Sequence, residues 1–217
     1  MIRFENVCLS RNGKDILSAV TFQIGEGEKV VFRGKSGSGK STILKILVGA
    51  YKPDKGTVYF RGEPLSQGNI FAVRNVLSFI GQEPVLGAET VREALFLPFT
   101  FKAHRGLWPS ADVVNKLLES LHLSPEILDR KSAQVSGGEK QRIAIARALL
   151  IGKTCFLADE ITSALDSESK AAVMEILFQP GRTLVSVSHD LDWIARCERR
   201  IEVEDGRLKG EKNHGDD

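Results

Sequence analysis

No apolar stretch in this 217-residue chain approaches the roughly 18 residues that a helix needs to cross a bilayer. The chain is therefore not expected to span a membrane by itself. Its opening, MIRFENVCLS, carries a charge at once, and no apolar core follows. That is not the pattern of a secretory leader, and the chain is expected to stay in the cytosol. Cysteine is scarce: Cys8, Cys155 and Cys197 are odd in number and far apart. They make neither a disulfide framework nor a zinc pair, which leaves reduced, mostly buried thiols. Neither sign of charge is in excess. Thirty Lys and Arg against 28 Asp and Glu leave a formal +2, too little for a general grip on nucleic acid or anionic lipid, though compatible with a local basic patch. No internal repeat or low-complexity segment is visible.

What is present suits one folded domain: 42% hydrophobic and 27% charged residues, in a chain long enough to bury about 70% of its unfolded surface. Short β-rich runs alternate with helical ones. IRFENVCL and SAVTFQIG have strand composition, separated by the turn-like RNGKD. KVVFRG (29–34) is a compact apolar strand, and STILKILVGAY reads as a helix. TVYFRG and VLSFIG (76–81) are further strands. From about Ala88 to Leu150 the pattern is helical, through VREALFL, ADVVNKLLESLHL, SPEILDR and GGEKQRIAIARALLIG, punctuated by Pro98, Pro109 and Pro125. TCFLADE (154–160) and TLVSVSH (183–189) return to buried-strand composition, flanking a helix in SESKAAVMEILFQ. RRIEVEDGRLKG reads as a hairpin turning at Asp205-Gly206. A domain over 1–210 is expected, then a polar, frayed tail over 211–217. The alternation predicts an α/β fold with a largely parallel core sheet and an inserted helical lobe over about 88–150. Ligands of such sheets gather at the carboxyl ends of the strands.

KVVFRG runs into Gly34-Lys35-Ser36-Gly37-Ser38-Gly39-Lys40-Ser41, followed by Thr42. This is G-x-x-x-x-G-K-[ST] between a strand and a helix, the setting of a phosphate loop. Its glycines let backbone N–H groups converge on a phosphate, and the helix adds the positive end of its dipole. Lys40 can reach the β- and γ-phosphates, and Ser41 can ligand Mg²⁺. FLADE sets Asp159 and Glu160 at a strand tip, where one carboxylate can hold Mg²⁺ and the next can polarise water. Away from a phosphate loop, two such acids are usually a solvated turn. Ser136-Gly137-Gly138-Glu139 opens the helix KQRIAIARALL. Ser136 as N-cap and Glu139 three residues on form a capping box, so a well-capped helix is one reading. Two bare glycines beside a serine hydroxyl also make a second phosphate-binding element.

SGGE-KQR-IAIARAL resembles the signature of the ABC ATPases, and the other motifs of that family follow in order along nearly the whole chain. Gln82 in FIGQEP stands where the family has its Q-loop. Asp159 and Glu160 match its acidic pair, Ser163-Ala164-Leu165-Asp166 its D-loop, and His189 its switch histidine. QEPVLGAETVREALFLPF and DEITSALDSES are most similar to the ATPases of the iron-export ABC group. The resemblance implies a P-loop NTPase fold of ABC ATPase type: a RecA-like core sheet, an N-terminal antiparallel β-subdomain and an inserted helical lobe. It implies ATP and Mg²⁺ at a site that two subunits share head to tail, the Gly34–Thr42 loop of one facing Ser136–Glu139 of the other. Lys40 would clamp phosphates. Ser41, Gln82 and Asp159 would hold Mg²⁺ directly or through water, Glu160 would act on the attacking water, His189 would orient it, and Asp166 would lie at the dimer seam. An ATP-dependent homodimer, peripheral on the inner face of the membrane and working on integral permease subunits, follows from the same resemblance. No nucleic acid partner is expected. A soluble, non-transport ABC ATPase acting on nucleic acid or the ribosome is the alternative, although Gln82 to Ser136 leaves no room for the long insertions of the DNA-repair type.

Val135 and Glu139 replace the usual Leu and Gln of the signature, changes that put little in doubt; the larger departure is at the adenine site. The family's adenine-stacking aromatic has no counterpart between Val7 and Leu17; Arg11 falls at that position. A guanidinium can stack on a base, and a solvated turn residue is the other reading. The run Leu95–Phe101 likewise admits two readings, permease contact or lobe core.

Overall fold

Residues 1–213 are described by the computed structural model; positions 214–217 of the expected tail lie outside the described residues. The chain divides into two compact units. The first comprises residues 1–79, 154–160 and 180 onward. It opens with β1 (Ile2–Arg11) and β2 (Lys14–Ile24), joined at Asn12-Gly13 and bonded antiparallel. β1 alternates buried Ile2 and Phe4 with exposed neighbours, as one-sided burial requires. β4 (Lys55–Phe60) and β5 (Glu63–Pro64) complete a four-stranded antiparallel sheet in the order β2-β1-β4-β5.

The second sheet of this unit has six strands in the order β10-β9-β3-β8-β7-β6. β3 (Lys29–Arg33), β7 (Cys155–Asp159) and β8 (Thr183–Val187) are central and parallel. β7 and β8 are buried at every position, which is why they read as continuous apolar runs. β9 (Arg199–Glu204) runs parallel to β3 and turns back through Asp205-Gly206 into β10 (Arg207–Asn213). β10 continues three residues into the stretch expected as a frayed tail, because its pairing with β9 holds Glu211–Asn213 against Arg199–Ile201. β6 (Leu77–Ile80) forms the other edge. Phe4 and Phe22 stack at 4.5 Å, and Phe22 meets Phe32 edge-on at 5.3 Å, which joins the two sheets in one core. α1 (Lys40–Leu47) drives Ile43, Leu44, Ile46 and Leu47 into that core. α2 (Ile70–Val76) and α7 (Leu191–Arg196) are short.

The second unit comprises residues 80–153 and 161–179. It is helical: α3 (Val91–Thr100), α4 (Ala111–Ser120), α5 (Gly137–Leu150) and α6 (Ser167–Leu177). The lobe suggested over 88–150 is therefore joined by the segment that follows the acidic strand tip. SPEILDR is not an α-helix but a 3-10 turn over Pro125–Asp129, with Ser124 as its N-cap and Pro125 at its start. Pro98 does not end α3, which continues to Thr100. α5 buries Gln141, Ile143, Ala144, Ile145, Ala146 and Ala148, and two of its arginines bind the lobe by carbonyls. Arg147 donates to Leu86 O at 3.0 Å and Val85 O at 3.3 Å, and Arg142 to His122 O at 2.8 Å. Among the described residues, no helix is long and apolar enough to cross a membrane.

Candidate active site

β3 ends at Arg33, and the glycine-rich loop carries the chain into α1. Gly39 caps that helix with φ 103. A Cβ there would lie 2.8 Å from both Ile16 O and Leu17 Cδ2, so only glycine lets the loop rest on the start of β2. Lys40 is 4% exposed, and its Nζ donates to Gly34 O and Lys35 O, each at 2.7 Å. Burial lowers its proton affinity, opposed by Glu160 and Asp159. Ser38 Oγ is buried with no hydrogen-bond partner among the described residues. An orphaned hydroxyl inside such a loop fits a phosphate oxygen.

Ser41 Oγ donates to Asp159 Oδ1 at 2.8 Å. Burial pushes the Asp159 carboxyl above its usual range, opposed mainly by that hydrogen bond and by Lys45. A hydroxyl and one carboxylate, with water and nucleotide oxygens filling the remaining positions, fit Mg²⁺. Glu160 follows with φ 50, a left-handed backbone that costs a glutamate about 1–2 kcal/mol. Its N–H donates to Val187 O at 2.9 Å, so the β7–β8 ladder holds the strained residue in place. Strain held by its surroundings is common at functional sites. His189 Nε2 lies 3.6 Å from Glu160 Oε1, farther apart than a hydrogen bond. Burial also pushes the Cys155 and Cys197 thiols up to about 12, which makes them inert.

Arg11 pairs with Lys14 at the end of the β1–β2 hairpin. Its guanidinium lies 3.9 Å from the Tyr51 ring centroid, so it is not simply a solvated turn residue. Sequence reasoning missed Tyr51 because the pairing is long-range and no local pattern announces it. Ser10 N–H donates to Asp54 Oδ2 at 2.6 Å, which further ties the hairpin end to the segment after α1.

In the second unit, Gln82 follows β6 and is exposed. Ser136 caps α5 by accepting from the Glu139 N–H at 3.2 Å, and the Glu139 carboxylate accepts from the Ser136 N–H at 2.7 Å. The capping box is thus formed, and Arg130 joins it at 2.9 Å. Gly137 is exposed, with open space where a Cβ would stand, whereas a Cβ on Gly138 would lie 2.9 Å from Ala164 O. Close approach of backbone therefore explains Gly138, and nothing in the fold explains Gly137. Asp166 is the N-cap of α6, accepting from the Ser169 N–H at 2.8 Å and from its hydroxyl at 3.0 Å. The run Leu95–Phe101 divides: Leu95 and Phe99 are lobe core, and Phe101 is 58% exposed.

Comparison with known proteins gives one answer. The family described as ABC transporter matches residues 17–163. The energy-coupling factor transporter ATP-binding protein EcfA1 of Mycoplasmoides gallisepticum is 34% identical over 96% of this chain and 76% of its own. The macrolide export ATP-binding/permease protein MacB of Campylobacter jejuni is 37% identical over 96% of this chain. The chain spans only a third of MacB and 17% of the multidrug resistance protein 1 of Entamoeba histolytica. Among solved structures, the dimeric bacterial ABC transporter cassette MJ0796 superposes with a TM-score of 0.86 at 33% identity, covering 99% of both chains.

Proposed function

This chain belongs to the ABC transporter family and is an ATP-hydrolysing enzyme of that type; from that premise we propose that it is the ATP-binding subunit of a transporter, powering separate membrane permease subunits. The observation that carries the catalytic reading is the grouping in one unit of the phosphate loop, the Ser41–Asp159 pair at 2.8 Å and the Glu160–His189 pair at 3.6 Å. Lys40 holds the phosphates from inside the loop, and Ser38 supplies a hydroxyl to them. Ser41 and Asp159 would hold Mg²⁺, and the family resemblance gives Gln82 as a further ligand. Bound Mg²⁺ would neutralise charge on the transferring phosphoryl group. Glu160 takes the proton of the attacking water, and His189 orients Glu160.

Completion of the site falls to a second copy. Ser136–Glu139 of one chain is assigned to the γ-phosphate held by the other, with Asp166 near the seam. Exposed Gly137 leaves the approach to the α5 N-terminus open, which supports this reading. The permease subunits are assigned to the lobe with the Gln82 loop, and the assembly to the inner face of the membrane. Metal export, and iron in particular, rests on the phrase EITSALD and its neighbours. The relatives carry names as varied as energy coupling and macrolide export.

Glu160→Gln is expected to keep ATP binding and lower turnover by roughly 10²–10⁴, the range for loss of a general base. Steady-state hydrolysis measured with the membrane partner is the check. Turnover near the parent value would remove Glu160 from the chemistry.

A further inference from the structure

Between α3 and α4 the chain makes a turn that turns three large apolar side chains toward solvent. Phe101, Leu107 and Trp108 are 58%, 58% and 55% exposed. Trp108 is nevertheless fixed from behind, stacked on Phe96 at 5.3 Å with 20° between the rings and set 5.8 Å from buried Phe99. The outer part of the indole is thus presented to solvent on a rigid backing. Exposed Lys102 and Arg105 alternate with these apolar side chains, and His104 lies between them. Burial and the neighbouring Lys153 ammonium hold the His104 imidazole below its ordinary value, so a further cation from a distant segment stands beside the turn. From Ala94 to Ala111 there is no acid at all.

An apolar protein groove would take the aromatics without needing the cations. A core would not leave three large side chains more than half exposed. Aromatic side chains flanked by Lys and Arg suit the boundary of a bilayer, where rings sit at headgroup level and long basic side chains reach phosphate. We propose that the turn over 100–110 docks on an anionic phospholipid surface, with Phe101, Leu107 and Trp108 entering the headgroup boundary and Lys102 and Arg105 on lipid phosphates. One short apolar wedge with two cations gives weak, reversible binding, short of a stable anchor. The turn contains none of the residues assigned to nucleotide, so it stands or falls separately from the catalytic reading.

The test uses the full chain with vesicles of phosphatidylcholine, alone or with about one third phosphatidylglycerol. Trp108 is its own reporter, since the other tryptophan, Trp193, is 1% exposed. Expected are sedimentation with the anionic vesicles and a blue shift of tryptophan emission. Lys102→Gln with Arg105→Gln should lower vesicle affinity about 30-fold at low salt, about tenfold or less for each basic residue. Phe101→Ser with Leu107→Ser should abolish the blue shift. Both variants should keep the parent's ATP affinity and thermal midpoint, which shows that they are folded. No sedimentation of the parent, or undiminished binding by both variants, would overturn the proposal. So would equal binding to polyglutamate without a blue shift, which would assign the turn to an acidic protein instead.

Discussion

Arg11 stands where the family usually has an aromatic residue, and we propose that, backed by Tyr51, it stacks on the base. Tyr51 holds one face of the Arg11 guanidinium at 3.9 Å. The start of β2, to which Arg11 is joined by the Asn12-Gly13 turn, lies against the phosphate loop at Gly39. Arg11 pairs with Lys14, three residues from Leu17, or about 10 Å along the strand. Arg11→Ala is then expected to weaken ATP binding by about 0.5–2 kcal/mol, the scale of a cation–π contact, and to leave inorganic tripolyphosphate affinity unchanged. Arg11→Tyr should restore ATP affinity. Titration calorimetry decides: unchanged ATP affinity in Arg11→Ala would end the base-stacking reading. Nothing near Arg11 in sequence points to Tyr51, whereas Lys40, Ser41 and Glu160 were expected from the local strings that phosphate chemistry demands. The left-handed backbone of Glu160 was not legible, since it depends on the hydrogen bond to Val187 in another strand.

At the scale of elements, the first turn of α5 separates folding from ligand chemistry. The capping box was readable from Ser136 and Glu139, because its partners are three residues apart. The backbone bond from Ser136 and the Arg130 guanidinium help hold the Glu139 carboxyl below the usual range, against a smaller cost of burial. A depressed carboxyl stabilises the fold above its unfolded pKa, and that stability is lost as pH falls through the folded value. Thermal unfolding of Glu139→Gln should therefore fall below the parent at neutral pH and converge with it in acid. A gap that stayed constant with pH would contradict the ion-pair contribution. The two glycines should part company. Gly137→Ala should stabilise by up to about 0.5–1 kcal/mol through reduced backbone entropy, and Gly138→Ala should destabilise because of the Ala164 carbonyl at 2.9 Å. Thermal midpoints moving the same way would show that the local geometry is misread. α2 escaped sequence reading because only Val73 of its seven residues is buried, too few to make a stripe. SPEILDR carries helical composition, but the turn at Pro125–Asp129 is too short for an α ladder.

At the scale of the whole molecule, the candidate phosphate loop lies in the first unit and the capped N-terminus of α5 in the second. The alternation of strand-like and helical runs along the chain made the α/β class and the inserted lobe readable. The assignment of residues 161–179 to the second unit was not readable, because it depends on contacts far apart in sequence. We propose that the Ser136 element serves the nucleotide of a second copy. Contacts to the γ-phosphate, which ADP lacks, must then drive closure, as differential binding requires. Light scattering of Glu160→Gln in Mg·ATP tests this most directly, with and without Ser136→Arg. The expected result is a monomer in ADP, a dimer in Mg·ATP, and loss of that dimer on adding Ser136→Arg while ATP affinity stays at the parent value. A stable dimer in the double variant would show that Ser136 does no more than cap its helix.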